Sequence, residues 1–282
     1  MTVLISVHEL RAALAGSRPP VVLDVRWPGP AGKGTGLSAY RTAHVPHSIW
    51  IDLDAELAAP ASGPGGRHPL PEPEVFEAAM RRAGVSADRA VVVLDGGNSL
   101  AAGRLWWLLR DAGHDRVRVL DGGFSAWERA GAEVATGDPD PVAFGDFVAR
   151  PGQLPTVDAH EILAGLNKPG SGTLWDVRAA ERYRGDTEPI DPIAGHIPGA
   201  RNLPTANLQH ADGSFLEMGA LRESLADVHA GDVVYCGSGI TAAQALLALA
   251  AAGRADGVRL YPGSWSDWIS SGDRPVEVGT QD

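Results

Sequence analysis

A chain of 282 residues that is 44% hydrophobic can bury one large core or two ordinary ones. With Lys+Arg 24 against Asp+Glu 35, the net charge of -11 repels phosphate backbones and anionic lipid, so neither nucleic acid nor a membrane is expected as a partner, and any anionic substrate needs a local basic pocket. A single cysteine excludes an intramolecular disulfide framework, no Cys/His cluster has structural zinc spacing, and no run reaches the roughly 18 apolar residues of a membrane span, which together point to a soluble protein of the reducing cytoplasm.

In chain order, apolar β-branched runs at 21–25, 91–94 and 117–120 alternate with the helical stretches "EPEVFEAAMRRAG" and "LAAGRLWWLLRDAG", each closing on a glycine as helix C-caps do. Trp106 and Trp107 share helical spacing with Leu109 and read as core. The stretch "ATGDPDPVAFGDFVARPGQLP" (135–155) is rich in Gly, Pro and Asp, has no sustained period, and reads as a linker.

Beyond it the pattern starts again. "VVLDVR" at 21–26 recurs as "TLWDVR" at 173–178, and "YRTAHVPHSIWIDLD" at 40–54 as "PIAGHIPGARNLPTA" at 192–206, in one register: Asp24 to Asp176 and His44 to His196 are both 152 residues. "AVVVLDGGNSLAAGRLWWLL" from 90 parallels "GDVVYCGSGITAAQALLALA" from 231, and "LDGGFSAWERAG" from 120 parallels "YPGSWSDWISSG" from 261, both at 141 residues. The expected organisation is a duplicated α/β domain, 1–136 and 156–282 joined by 137–155, each a mainly parallel sheet covered by helices on both faces. Ligands of such sheets bind beyond the carboxyl ends of the strands, where the loops after 94 and after 235 fall.

The lone cysteine sits in the second of those loops. In "VVYCGSGITAAQALLALA" (233–250) a buried strand ends at Cys236, and an alanine-rich helix former follows at once. Gly237 and Gly239 are read as residues that take backbone angles closed to others. Cys236 thus faces free amide N–H groups and the positive end of a helix dipole, surroundings that favour an anion. A buried structural thiol needs no such cradle, so a nucleophile is the stronger reading. Tyr235, inside the strand, reads as packed.

"CGSGIT" (236–241), "AGHIPGA" (194–200), "LWDVR" (174–178), "RYRG" (182–185) and "LDGGFSAW" (120–127) together resemble the rhodanese-type sulfurtransferases, and within them the two-domain thiosulfate and 3-mercaptopyruvate enzymes. The resemblance spans nearly the whole chain and implies two five-stranded domains, the catalytic cysteine in the second and a first domain that has lost it. Asp95 stands where the repeat places Cys236, and an aspartate cannot carry sulfane sulfur. The chemistry implied is a relay through a Cys236 persulfide, held in a ring of amides with Gly237, Gly239, Ile240 and Thr241, to a thiol, cyanide or a thioredoxin-like dithiol, with no metal or organic cofactor. Thiosulfate:cyanide transfer and a persulfide carrier without turnover are the alternatives. A cysteine phosphatase shares the strand, Cys loop and helix but needs Arg six residues after the Cys, and that position is Ala242.

For the donor, "CGSGIT" differs from the "CGSGVT" of mercaptopyruvate enzymes only at Ile240 and lacks the basic pair of thiosulfate enzymes. The resemblance implies a Ser, His and Asp proton relay, for which Ser238, His68 (before "PLP") and Asp54 (second Asp of "DLD") are the matching positions. A turn serine and a solvated loop histidine are the plainer readings of the first two. Arg182 of "RYRG" matches the family's carboxylate-binding arginine, while the second arginine expected after "EP" is Ile190 here, and neither candidate for the missing charge, Arg184 or Arg104, is a motif match. Asp24 with Arg26, Asp176 with Arg178, His44, His196 and the "SAW" and "SDW" tryptophans recur in the inactive half too, so a fold role is expected for them.

Overall fold

The computed structural model describes residues 2–29, 35–61, 65–166 and 168–280. Contacts divide the chain into two units, Met1–Ala58 with Pro71–Gln153 and His210–Phe215, and Ala59–Leu70 with Leu154–Gln209 and Leu216–Asp282. The first-half segment that carries His68 is therefore part of the second unit.

In the first unit, strands β1 (Leu4–Ile5), β2 (Val21–Asp24), β3 (Ile49–Trp50), β4 (Val91–Leu94) and β5 (Val117–Leu120) form one parallel sheet in the order β1-β5-β4-β2-β3. Between them run α1 (Val7–Leu14), α2 (Thr35–Thr42), α3 (Leu53–Glu56), α4 (Pro73–Arg82), α5 (Leu100–Asp111) and α6 (Gly123–Arg129). The sequence "SVHE" opens α1 through a capping box between Ser6 and Glu9, which satisfies two helix-end donors reciprocally. Both predicted C-cap glycines take left-handed angles just past their helices, Gly84 at φ 78° and Gly113 at φ 89°. Trp106 and Trp107 are buried, as expected. The stretch read as the linker runs without helix or strand along this unit, with Gly145 donating to Arg81 O (2.8 Å) and Arg150 to Ala112 O (3.1 Å).

The second unit repeats the plan: α7 (Ala159–Gly165), β6 (Leu174–Asp176), α8 (Ala180–Arg184), β7 (Arg201–Asn202), α9 (Met218–Ser224), β8 (Val233–Tyr235), α10 (Ile240–Ala251), β9 (Arg259–Leu260) and α11 (Ser264–Trp268). Its parallel sheet has order β7-β6-β8-β9, and the fifth strand of the family plan is reduced to a single parallel bridge between Thr156 and Leu260. An equivalent capping box, Asp158 with Glu161, opens α7. β8 is buried throughout, and α10 is buried on nearly every side, so its Ala and Leu content packs it centrally.

The loop registers differ between the units. Phe124 N–H donates to Asp95 O (2.8 Å) and Trp265 N–H to Cys236 O (2.9 Å), which keeps the offset of 141 residues at the loop start. Inside the helices it drops to 140, because the first helical bonds are Gly103 N–H to Ser99 O and Ala243 N–H to Gly239 O. The loop of the catalytic half is one residue shorter than a gapless reading of the repeat gives. In the first unit Asp95 fills the cradle with its own side chain: Oδ1 accepts N–H groups of Gly97 (2.9 Å) and Ser99 (3.1 Å), and Oδ2 that of Ala102 (3.2 Å). Burial raises this carboxyl above the usual range, and the amides oppose the shift.

Asp95→Ala should therefore leave buried amides without acceptors and destabilise the protein by about 1–3 kcal/mol. A lowered urea midpoint at unchanged slope is the expected result; a midpoint equal to that of the wild type contradicts it.

Candidate active site

Cys236 leaves the end of β8 with its side chain 1% exposed. Its Sγ accepts the Gly239 N–H at 3.2 Å, and Gly239, at φ 84°, starts α10 from the left-handed region. Gly237 is not among the residues with positive φ, so the expectation of a special backbone angle holds for Gly239 alone. What crowds a side chain at Gly237 is the ends of two arginines. A Cβ there would lie 3.0 Å from Arg67 Nη2 and 3.5 and 3.6 Å from Arg182 Nη2 and Nη1. Ile240 and Thr241 form the first turn of α10, whose N–H groups have no partner inside the helix.

The start of α11 fixes this loop. Trp265 N–H donates to Cys236 O (2.9 Å) and Ser266 N–H to Gly237 O (3.0 Å). Ser264 is a residue that sequence reasoning missed. Its Oγ accepts the Cys236 N–H at 3.1 Å, donates to Tyr261 O at 2.9 Å and stands 4.0 Å from Sγ. It holds φ 53°, a conformation that costs a non-glycine residue about 1–3 kcal/mol. The repeat carries the missed signal: its partner in the first unit is Gly123, also at φ 53°.

Ser238 is buried, and its Oγ lies 2.8 Å from Nδ1 of His68. The segment carrying His68 is latched onto α11, with Gly65 N–H on Asp267 Oδ1 (3.1 Å) and Arg67 N–H on Ser266 Oγ (3.1 Å). Gly66, at φ 79°, must be glycine, since a Cβ would fall 2.4 Å from Ser266 Oγ and 2.5 Å from Gly263 O. Asp54 belongs to the first unit, on α3, where its carboxylate accepts the Trp27 indole N–H at 3.2 Å. The structure thus brings together Cys236, Ser238 and His68 within the second unit.

Arg182 Nε and Nη2 donate to Glu188 (3.1 and 2.6 Å), and Nη2 also reaches Asp191 Oδ2 at 3.3 Å. Arg67, a second residue not found from the sequence, donates through Nη1 to Asp191 Oδ1. Burial pulls its guanidinium down from the usual arginine range, and the largest opposing influence is Cys236. Of the sequence candidates for the missing cation, Arg184 pairs with Asp186 at 2.8 Å, and Arg104 belongs to the first unit, where it is buried and donates to Leu57 O. Arg178 is structural as expected, clamping Asp176 and Gly195 O and lying 4.9 Å over the Trp265 ring; Arg26 holds Asp24 and Ala43 O in the same way. His196 and His44 stack on Tyr183 and Tyr40 at 3.8 and 3.9 Å.

The rhodanese-like domain family matches residues 6–130 and 158–271. A Mycobacterium tuberculosis protein named "Putative thiosulfate sulfurtransferase SseB" is 42% identical over 288 residues, 99% of this chain and 98% of its own. The 3-mercaptopyruvate sulfurtransferase of Escherichia coli is 32% identical over 91% of each chain. The crystal structure of SseA from Escherichia coli superposes with a TM-score of 0.80 at 30% identity, covering 94% of this chain and all of that one.

Substitutions at Ser264 separate strain from hydrogen bonding. Ser264→Ala keeps the strained angle and orphans the buried Cys236 N–H, so a loss of about 1–3 kcal/mol is expected. Ser264→Gly relieves the strain and should unfold at a higher urea concentration than the alanine variant, the reverse of the usual order of these residues in helices. Equal midpoints would count against strain at this residue.

Proposed function

We propose that this chain, which belongs to the rhodanese-like family and is a sulfurtransferase, takes sulfane sulfur from 3-mercaptopyruvate onto Cys236 as a persulfide and passes it to an acceptor. The Cys236 thiolate attacks the donor sulfur, the donor C–S bond breaks, and its electron pair leaves on carbon as the enolate of pyruvate. That enolate needs a proton. Ser238 Oγ–H supplies it and is resupplied from His68, the role for which their 2.8 Å contact is suited. This contact beside the nucleophile is the observation that carries the donor assignment, because a dianionic thiosulfate leaves as sulfite and needs no such relay. Asp54 is the acidic member that the family resemblance implies for this relay.

The persulfide is then held by the Gly239 amide and the start of α10, with Gly237, Ile240 and Thr241 completing the loop around it. A thiolate acceptor attacks the outer sulfur, the S–S bond breaks, and the Cys236 thiolate returns. Cyanide, a small thiol or a thioredoxin-like dithiol each satisfies this chemistry, and the reducing cytoplasm suits a lone thiol nucleophile. Among the described residues no helix is long and apolar enough to cross a membrane. Thiosulfate as main donor is the second reading, favoured by the name of the 42% identical relative.

Cys236→Ser should show no mass gain of one sulfur after donor treatment, whereas the wild type gains it. Ser238→Ala and His68→Gln should lower turnover with mercaptopyruvate about 10²–10⁴-fold, the usual range for a lost general acid, and turnover with thiosulfate far less. Equal slowing with both donors, or a wild type that prefers thiosulfate, would replace the mercaptopyruvate reading by the thiosulfate one.

A further inference from the structure

The mercaptopyruvate reading leaves one cation unassigned, since Ile190 occupies the place where the family pattern puts an arginine. Arg67 reaches the nucleophile loop from a different part of the chain. Its Nη1 is spent on Asp191, its backbone N–H on Ser266, and its Nε is buried without a hydrogen-bond partner. Arg182 spends Nε and Nη2 on Glu188 and Asp191. Arg67 Nη2 and Arg182 Nη1 take part in none of these bonds; they stand 3.0 and 3.6 Å from the point over Gly237 where a Cβ would be, with the paired Arg182 Nη2 at 3.5 Å. The two carboxylates therefore hold part of each guanidinium, and both guanidiniums lie over Gly237, next to the residue bearing the thiol.

We infer that Arg67 is the second guanidinium of the donor site, which grips the donor's carboxylate together with Arg182 over Gly237. This deepens the mercaptopyruvate reading and rests on it for the identity of the donor. Asp191 acts as the positioning residue: its two oxygens reach both arginines, so it sets the spacing of the clamp. Glycine at 237, with no unusual backbone angle, lets both guanidiniums lie close over the loop. A carboxylate beside Arg67 Nη2 gives this arginine an acceptor on its open side, and charge-assisted bonds of this kind are the strong ones.

The test uses two readouts. Arg67→Gln should raise the KM for 3-mercaptopyruvate about tenfold or more, the equivalent of losing one charge-assisted bond, while kcat moves less than about threefold. Independently of turnover, alkylation of Cys236 by iodoacetate should slow about tenfold relative to alkylation by neutral iodoacetamide, because only the former presents a carboxylate to the clamp. The ratio cancels any general change in thiol reactivity. Arg67→Lys should recover part of it, having a cation without the fork needed to hold Asp191 and the donor together. Gly237→Ala, whose methyl group would stand 3.0 Å from Arg67 Nη2 and so displace the open edge of that guanidinium, should depress the same ratio and guards against an Arg67→Gln chain that fails to fold. An unchanged iodoacetate to iodoacetamide ratio in Arg67→Gln and Gly237→Ala overturns the assignment of Arg67. A wild type that takes no sulfur from mercaptopyruvate overturns the donor reading instead, and the alkylation ratio still reports on the clamp.

Discussion

Two backbone hydrogen bonds, from Trp265 to the carbonyl of Cys236 and from Ser266 to that of Gly237, are the constraint on which the site depends. They hold the nucleophile loop against α11, and the side chains of the same short helix hold the segment 65–67 through Ser266 Oγ and Asp267 Oδ1. His68 and Arg67 come from a stretch far away in sequence, and ordering such a stretch costs about 1–2 kcal/mol per residue in backbone entropy. Bonds worth about 0.5–1.5 kcal/mol each offset that only partly, so the latch is better understood as setting position than as adding stability. Tyr261 supports it from beneath, its hydroxyl donating to Asp267 Oδ2 at 2.5 Å.

The first unit shows what this scaffold does without the nucleophile. Phe124 and Ser125 make the corresponding bonds to Asp95 and Gly96 (2.8 and 3.2 Å), so the loop-to-helix tie belongs to the fold. What changed is the contents of the cradle. Asp95 places its own carboxyl oxygens on the amides of Gly97, Ser99 and Ala102, and the second-unit counterpart of Ser99, Gly239, donates to the Cys236 sulfur instead. The differences between the repeats mark the chemistry: Gly123 against Ser264, Ala126 against Asp267, and a loop one residue longer around Asp95. Residues shared by both halves, such as the Asp24–Arg26 and Asp176–Arg178 pairs, tie strand ends to neighbouring loops in each.

Much of this was legible from the amino-acid pattern because it is local or repeated. The strands ending at Leu94 and Tyr235, the glycine-closed helices, the inert Asp95 and the solitary Cys236 all follow from short-range periodicity and the internal duplication. Ser238 and His68 were reached only through family resemblance, and the 2.8 Å contact joins residues 170 positions apart. Arg67 was not reachable, because nothing in "GGRHPLP" says which strand end it will face. The special backbone angle read for Gly237 is absent; what sets this position apart is the two guanidiniums over it, a tertiary fact that no local pattern encodes. The fifth strand of the second sheet was likewise a property of the family plan, and here a single bridge at Thr156 suffices.

The charge of the clamp bears on donor choice. Arg67 and Arg182 are matched by Glu188 and Asp191, so before a donor arrives this cluster is close to neutral, in a chain whose net charge is -11. A monoanion added beside a thiolate meets less repulsion there than a dianion does, and the difference grows as water is excluded, since the same pair of charges interacts about fourfold more strongly at an effective dielectric near 20 than in bulk water. The carboxylates that orient the arginines thus also limit how much negative charge the site accepts. A thiosulfate site would gain from unpaired cations beside the cysteine; the glycine, the serine and the two carboxylate-paired guanidiniums found there support the proposed donor with one carboxylate and a leaving group that needs a proton.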